Sequence, residues 1–145
     1  MRKATLIIIS VILIIIMAYL FYDGSQDNGV TYNVKEIHSQ NFNSSLFIKQ
    51  KMWGLTSDNQ IIIISTSPTK KFSPNSTTDY IYEGLSPFYY KFHEDTLFVY
   101  TMQNSKIPKS FKTKIIIVQT ELANPEMMRL VKNDQYKKEG LNTFE

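Results

Sequence analysis

The chain contains no cysteine. That absence excludes disulfide staples, thiol catalysis, cysteine-based zinc sites and a lipidated N-terminal cysteine. Histidine is scarce, with only His38 and His93. The run His93-Glu94-Asp95 puts three donors together, but adjacent residues in a tight turn rarely converge on one ion, and no second cluster stands at ligand spacing. The patterns G-x-S-x-G, H-E-x-x-H, the Walker loop and G-x-G-x-x-G are missing as well. No catalytic residue, metal or cofactor is expected, and the chain reads as a non-enzyme.

Excess charge of one sign is also lacking, despite a pI near 9.0. Of 16 basic residues, Arg2 and Lys3 precede a long apolar run, which leaves 14 against 13 acidic residues, all of them beyond it. A net charge of about +1 is far from the basic face of a nucleic-acid binder, and no nucleic-acid partner is expected. The many Ile, Lys and Asn residues are those of an AT-rich genome, so the expected host is a bacterium.

The run itself, residues 4–22, reads ATLIIISVILIIIMAYLFY without a charge. As a helix its 19 residues span roughly 28 Å, close to the ~30 Å of a hydrocarbon core. Tyr19, Phe21 and Tyr22 sit where an aromatic belt meets the interface, and bilayer contact is assigned to Leu6, Ile9, Leu13, Ile16, Leu20 and Tyr22. Arg2 and Lys3 lie on one flank, and Lys35 is the only basic residue near the other. The positive-inside rule then puts residues 1–3 in the cytoplasm, 4–22 across the cell membrane as a signal anchor, and the rest outside. A cleaved signal peptide is the rival, but the apolar run exceeds its usual length and no A-x-A-like site follows.

Residues 23–29, DGSQDNG, form a polar linker. Residues 30–145, about 120 in round terms, are enough for one domain with its own core. Alternation predicts strands at residues 30–34, from Leu46 onward, at 79–83 and at 88–92 returning through 97–100, and continuous apolar runs predict strands at Ile61–Ile64, buried on both faces, and at 114–119. In the second of these, Leu46, Ile48 and Met52 share one face and Phe47, Lys49 and Lys51 the other. Residues 39–45, 54–59 and 65–78 read as loops or turns. Asn124 as cap, Pro125, Glu126 and a 3.6-residue stripe of Met127, Leu130 and Val131 predict a helix over 124–139, stopped at Gly140. The expected fold is α+β: one antiparallel sheet of five or six strands with the C-terminal helix on one face.

Aromatics crowd residues 80–100: Tyr80, Tyr82, Phe88, Tyr89, Tyr90, Phe92, Phe98 and Tyr100. Cross-strand pairing would hold the hairpin; a stacking surface for a sugar, a peptide or cell-wall material would instead use the outward rings. Alternation places Phe88, Tyr90 and Phe92 on one face and Tyr89 and Lys91 on the other, so Tyr82, Tyr89 and Lys91 are the candidate binding residues. Lys106, Lys109, Lys112 and Lys114 read as a solvated loop and a lysine-protected strand edge. Asn43-Ser44-Ser45 and Asn75-Ser76-Thr77 match glycosylation acceptors, as chance matches in an Asn- and Ser-rich chain do. The expected role is that of a membrane-anchored envelope accessory or protein-interaction module, with a membrane or envelope protein as partner. The alternative is a ligand-binding module that uses the exposed aromatics.

Overall fold

The computed structural model describes residues 29–54, 59–84 and 86–144. The expected anchor, residues 23–28 of the linker and most of the 54–59 turn lie outside the described residues. Among the described residues no helix is long and apolar enough to cross a membrane.

Seven strands form two sheets, where one sheet of five or six was expected. Sheet A is the antiparallel meander β1 (Thr31–Ser39), β2 (Ser44–Trp53), β3 (Asn59–Ser65) and β4 (Tyr80–Glu83). Sheet B holds β5 (Tyr89–His93), β6 (Thr96–Thr101) and β7 (Ile116–Glu121) in that order. β5 and β6 form the anticipated hairpin, turning through Glu94 and Asp95 with φ of 45° and 61°. Both central residues are left-handed, the combination that matches strand twist in a two-residue hairpin loop. β7 departs from expectation by pairing parallel to β6, from Thr96↔Ile116 to Thr101↔Glu121. A parallel neighbour needs a long crossover, and residues 102–115 supply one without a helix.

The two sheets pack face to face over one core. Ile37, Leu46, Ile48, Ile62, Ile64, Tyr80 and Tyr82 come from sheet A; Phe88, Tyr90, Leu97, Val99 and Ile115 come from sheet B and its flanks. Much of this core is aromatic: Tyr82 meets Phe88 edge-on at 5.1 Å between ring centroids, and Tyr80 meets Phe111 at 4.9 Å. β1 runs on to Ser39, and Ile37 is its one apolar residue turned fully into the core, which is why its first half shows so little hydrophobic signal.

Both outer faces are partly covered as well. On sheet A, residues 66–79 leave β3, reach Tyr32 through Phe72 (6.2 Å between centroids) and return to β4. Beneath this path Ile63 is 1% exposed and Lys49 2%. Alternation places Lys49 with Phe47 and Lys51 on the face opposite Leu46 and Ile48, and there the Lys49 side chain is buried. Burial pushes the Lys49 ammonium below the ordinary lysine range, against the opposing pull of Asp79.

On sheet B the outer face carries α1 (Asn124–Val131), a 3-10 turn (Lys132–Asp134) and α2 (Gln135–Lys138). The expected continuous helix over 124–139 is broken by Asn133 and Asp134, both at positive φ. Its cap is Ala123 rather than Asn124: the Glu126 carboxylate accepts the Ala123 N–H at 3.0 Å, half of a capping box. Met127 and Leu130 face the sheet as the stripe predicts, whereas Val131 is 43% exposed. The Arg129 guanidinium grips the Glu139 carboxylate with both nitrogens and folds the segment back on itself.

Candidate functional site

The sequence candidates separate in three dimensions. Tyr82, on β4, points into the core and is 7% exposed. Its hydroxyl donates to Gln119 Oε1 of β7 at 2.8 Å, a bond between the two sheets. Desolvation first, and Tyr80 second, push that phenol far above the ordinary tyrosine range. Tyr89 does lie on the face opposite Phe88 and Tyr90, but that face is not open. Tyr89 is 3% exposed, clustered with Met127, Leu130 and Leu141 and stacked on Tyr136 at 4.9 Å. The chain beyond Leu122 covers the ring that alternation had turned toward solvent. Lys91 is exposed on the same face, so the three candidates share no surface.

Two polar clusters resemble catalytic groupings in composition only. Ser45 Oγ donates to Glu36 Oε1 at 2.7 Å while His38 Nδ1 lies 2.9 Å from the Ser45 hydroxyl oxygen. The acid here binds the hydroxyl directly and does not orient the imidazole, so the serine–histidine–acid relay is not assembled. In the β5–β6 turn, His93 Nε2 is 3.5 Å from Glu94, and Asp95 turns away to Ser39 and Asn41. Among the described residues no group of three His, Cys, Asp or Glu side chains could hold a metal ion.

The sheet edges are more informative. β4 is shielded by the crossover, where Ser105 Oγ accepts the Ile81 N–H at 2.8 Å. Ser105 is itself clamped by the Gln119 amide, through its N–H at 2.8 Å and its carbonyl at 3.1 Å. β5 is closed by the C-terminal segment: Tyr90 N–H donates to Asn142 O at 2.9 Å, and Asn142 N–H to Tyr90 O at 2.8 Å. Thr143 Oγ1 adds a bond to Phe88 O at 2.9 Å. β1 stands first in sheet A and, among the described residues, pairs only with β2. At nine residues it exceeds the usual five or six.

A groove of 430 Å³ runs beside that edge. Asn33, Val34 and Lys35 of β1 form one wall; Tyr136, Asn142 and Phe144 of the C-terminal segment contribute to the other. From Asn33 of the groove wall, a chain of amides runs across sheet A and fixes β1 against its neighbour. Asn33 Nδ2 donates to Gln50 Oε1 at 2.9 Å, Gln50 Nε2 to Gln60 Oε1 at 3.1 Å, and Gln60 Nε2 to Ser86 O at 2.9 Å. Sequence reasoning missed this groove because its walls lie over a hundred positions apart. The one local sign was the weak apolar pattern of residues 31–36, which suits an edge strand better than a central one. No family model, curated protein or solved structure matches the chain.

Proposed function

We propose that this chain is a single-pass, membrane-tethered, non-enzymatic interaction module of a cell envelope, and that its partner is a protein of the same membrane laying an extended segment along β1. The observation that supports this reading best is the β1 edge, unpaired among the described residues and beside a groove; β4 and β5 are covered from within, and β7 is the other outer strand with one neighbour. A free edge presents alternating N–H and C=O groups, and strand addition satisfies them. The charge-free residues 4–22 support the tether, since a helix there just spans a bilayer. Confinement to that bilayer raises the effective concentration of any partner held in it. The ligand-stacking reading is less well supported: Tyr80, Tyr82, Phe88, Tyr89 and Tyr90 are all buried.

A photo-crosslinking residue in place of Val34, which is 44% exposed on the groove wall, tests the proposal in cells making the full chain. The expected result is one discrete adduct with a membrane protein from position 34 and none from a control at the exposed Lys109. Replacing residues 1–28 with a cleavable export signal should release the domain and weaken the adduct. Equal labelling from both positions, or none from position 34, would sink the reading.

A further inference from the structure

One surface belongs neither to the groove nor to the core. On the outer face of sheet A, Tyr32 stands opposite Lys51, with Trp53 two residues further along β2. The Lys51 ammonium lies 5.6 Å from the ring centroids of both Tyr32 and Trp53. Phe72 joins from the covering loop, just after the exposed Lys70 and Lys71. Tyr32 is 48% exposed and Trp53 half-buried. Among the described residues the nearest carboxylate in this row is Glu83, on β4, two strands from Lys51 and therefore about 10 Å away. Glu36 sits toward the opposite end of the face, held by Ser45.

The chain reaches the domain at this same corner. A Cβ on Gly29 would lie 3.4 Å from the Gly54 carbonyl, immediately after Trp53. From Tyr22, the last residue of the apolar run, to Gly29 is seven residues, a reach of at most about 25 Å even fully extended. With residues 4–22 in a bilayer, the corner that combines exposed aromatic rings with lysines is tethered within about 25 Å of it.

We propose that this corner is a membrane-docking face that rests on the anionic headgroups of the bilayer holding the tether, an inference that depends on the tethered reading above. Tyr32, Trp53 and Phe72 enter the interfacial layer, where amphipathic rings are favoured. Lys51, Lys70 and Lys71 meet lipid phosphates, each cation near an anionic surface contributing to attraction. The domain then lies against the membrane, with β1 alongside, and presents its free edge to proteins of the same bilayer.

Trp53 is the only tryptophan, so the full chain carries its own probe. The protein is reconstituted into vesicles of brominated zwitterionic lipid, with and without an anionic fraction. Docking predicts loss of Trp53 fluorescence to the brominated lipid, deeper with anionic lipid, together with protection from aqueous iodide relative to detergent. The double substitution Lys70→Glu, Lys71→Glu should abolish the anionic increment and leave the far-UV circular dichroism unchanged. If a chain that floats with vesicles and resists alkaline extraction shows no lipid quenching and full iodide access, the docking face is overturned and the tether stands. Extraction by alkali overturns both. Iodide protection in detergent that grows with protein concentration also overturns docking, since a second copy then covers the corner.

Discussion

Tyr89 shows how much one position depends on what is folded over it. Its ring lies between β5 and the C-terminal segment, stacked on Tyr136 and clustered with Met127 and Leu130. Burial leads the causes that push its phenol above the ordinary range, with Tyr136 and Asp134 adding to it. Removing a buried aromatic ring costs about 3–5 kcal/mol, a large share of the 5–15 kcal/mol typical of a domain. Tyr89→Ala is expected to lower the urea midpoint sharply, whereas Tyr89→Phe, which keeps the ring, should stay within about 1.5 kcal/mol of the parent. An alanine variant as stable as the parent would mean that the C-terminal segment does not rest on this ring. Lys49 makes the complementary case, a long cationic side chain 2% exposed on the face opposite Leu46 and Ile48.

At the scale of elements, turns hold the two sheets in register with each other. Asp95 Oδ1 accepts the Ser39 hydroxyl at 2.5 Å, Oδ2 accepts Asn41 Nδ2–H at 2.6 Å, and its carbonyl accepts Ile116 N–H at 3.0 Å. One residue thereby joins the β1–β2 turn, the β5–β6 turn and the start of β7. The Ser39 bond first, then that of Asn41, holds the Asp95 carboxyl below the ordinary carboxylate range. A carboxyl whose pKa is lower in the folded state contributes stability above its unfolded pKa and loses it as the pH falls through the folded value. Denaturation midpoints measured from about pH 5 to pH 2 should therefore fall more steeply for the parent than for Asp95→Asn, whose neutral amide does not titrate. Parallel slopes would show that these bonds do not discriminate between the protonation states.

The direction of β7 belongs to this scale too. The segment KIIIVQ at residues 114–119 is a continuous β-branched run that reads the same whether it runs with or against its neighbour, so it places a strand there without orienting it. Residues 102–115 decide the direction by carrying the chain back along the molecule, pinned to β4 through Ser105. The break in the C-terminal helical segment has a local cause instead. Asn133 and Asp134 both take left-handed backbone, which Asn and Asp tolerate better than most residues, and the Arg129–Glu139 pair then spans the bend.

For the whole molecule, the domain should lie on the far side of the membrane from residues 1–3. A C-terminal epitope in intact spheroplasts is expected to be digested by added protease without lysis. Protection until lysis would reverse the orientation and return cytoplasmic partners to consideration. The prediction rests on Arg2 and Lys3 against the sparse positive charge beyond residue 22.

The amino-acid sequence by itself determined the mixed α+β class, the β5–β6 hairpin, the double burial of the Ile61–Ile64 strand and the core stripe of Met127 and Leu130. All of these are set by residues a few positions apart, where side-chain periodicity and turn chemistry act. Only the tertiary structure decided that the strands divide into two facing sheets, that β7 runs parallel, that residues 66–79 close over Lys49 and that the C-terminal segment closes over Tyr89. Those outcomes depend on which distant segment covers which face, and a period-two pattern states that a face exists without stating what lies on it. The β1 edge and its groove are of the same kind: which strand ends sheet A, and which segment lies beside it, are settled by residues far apart in the chain.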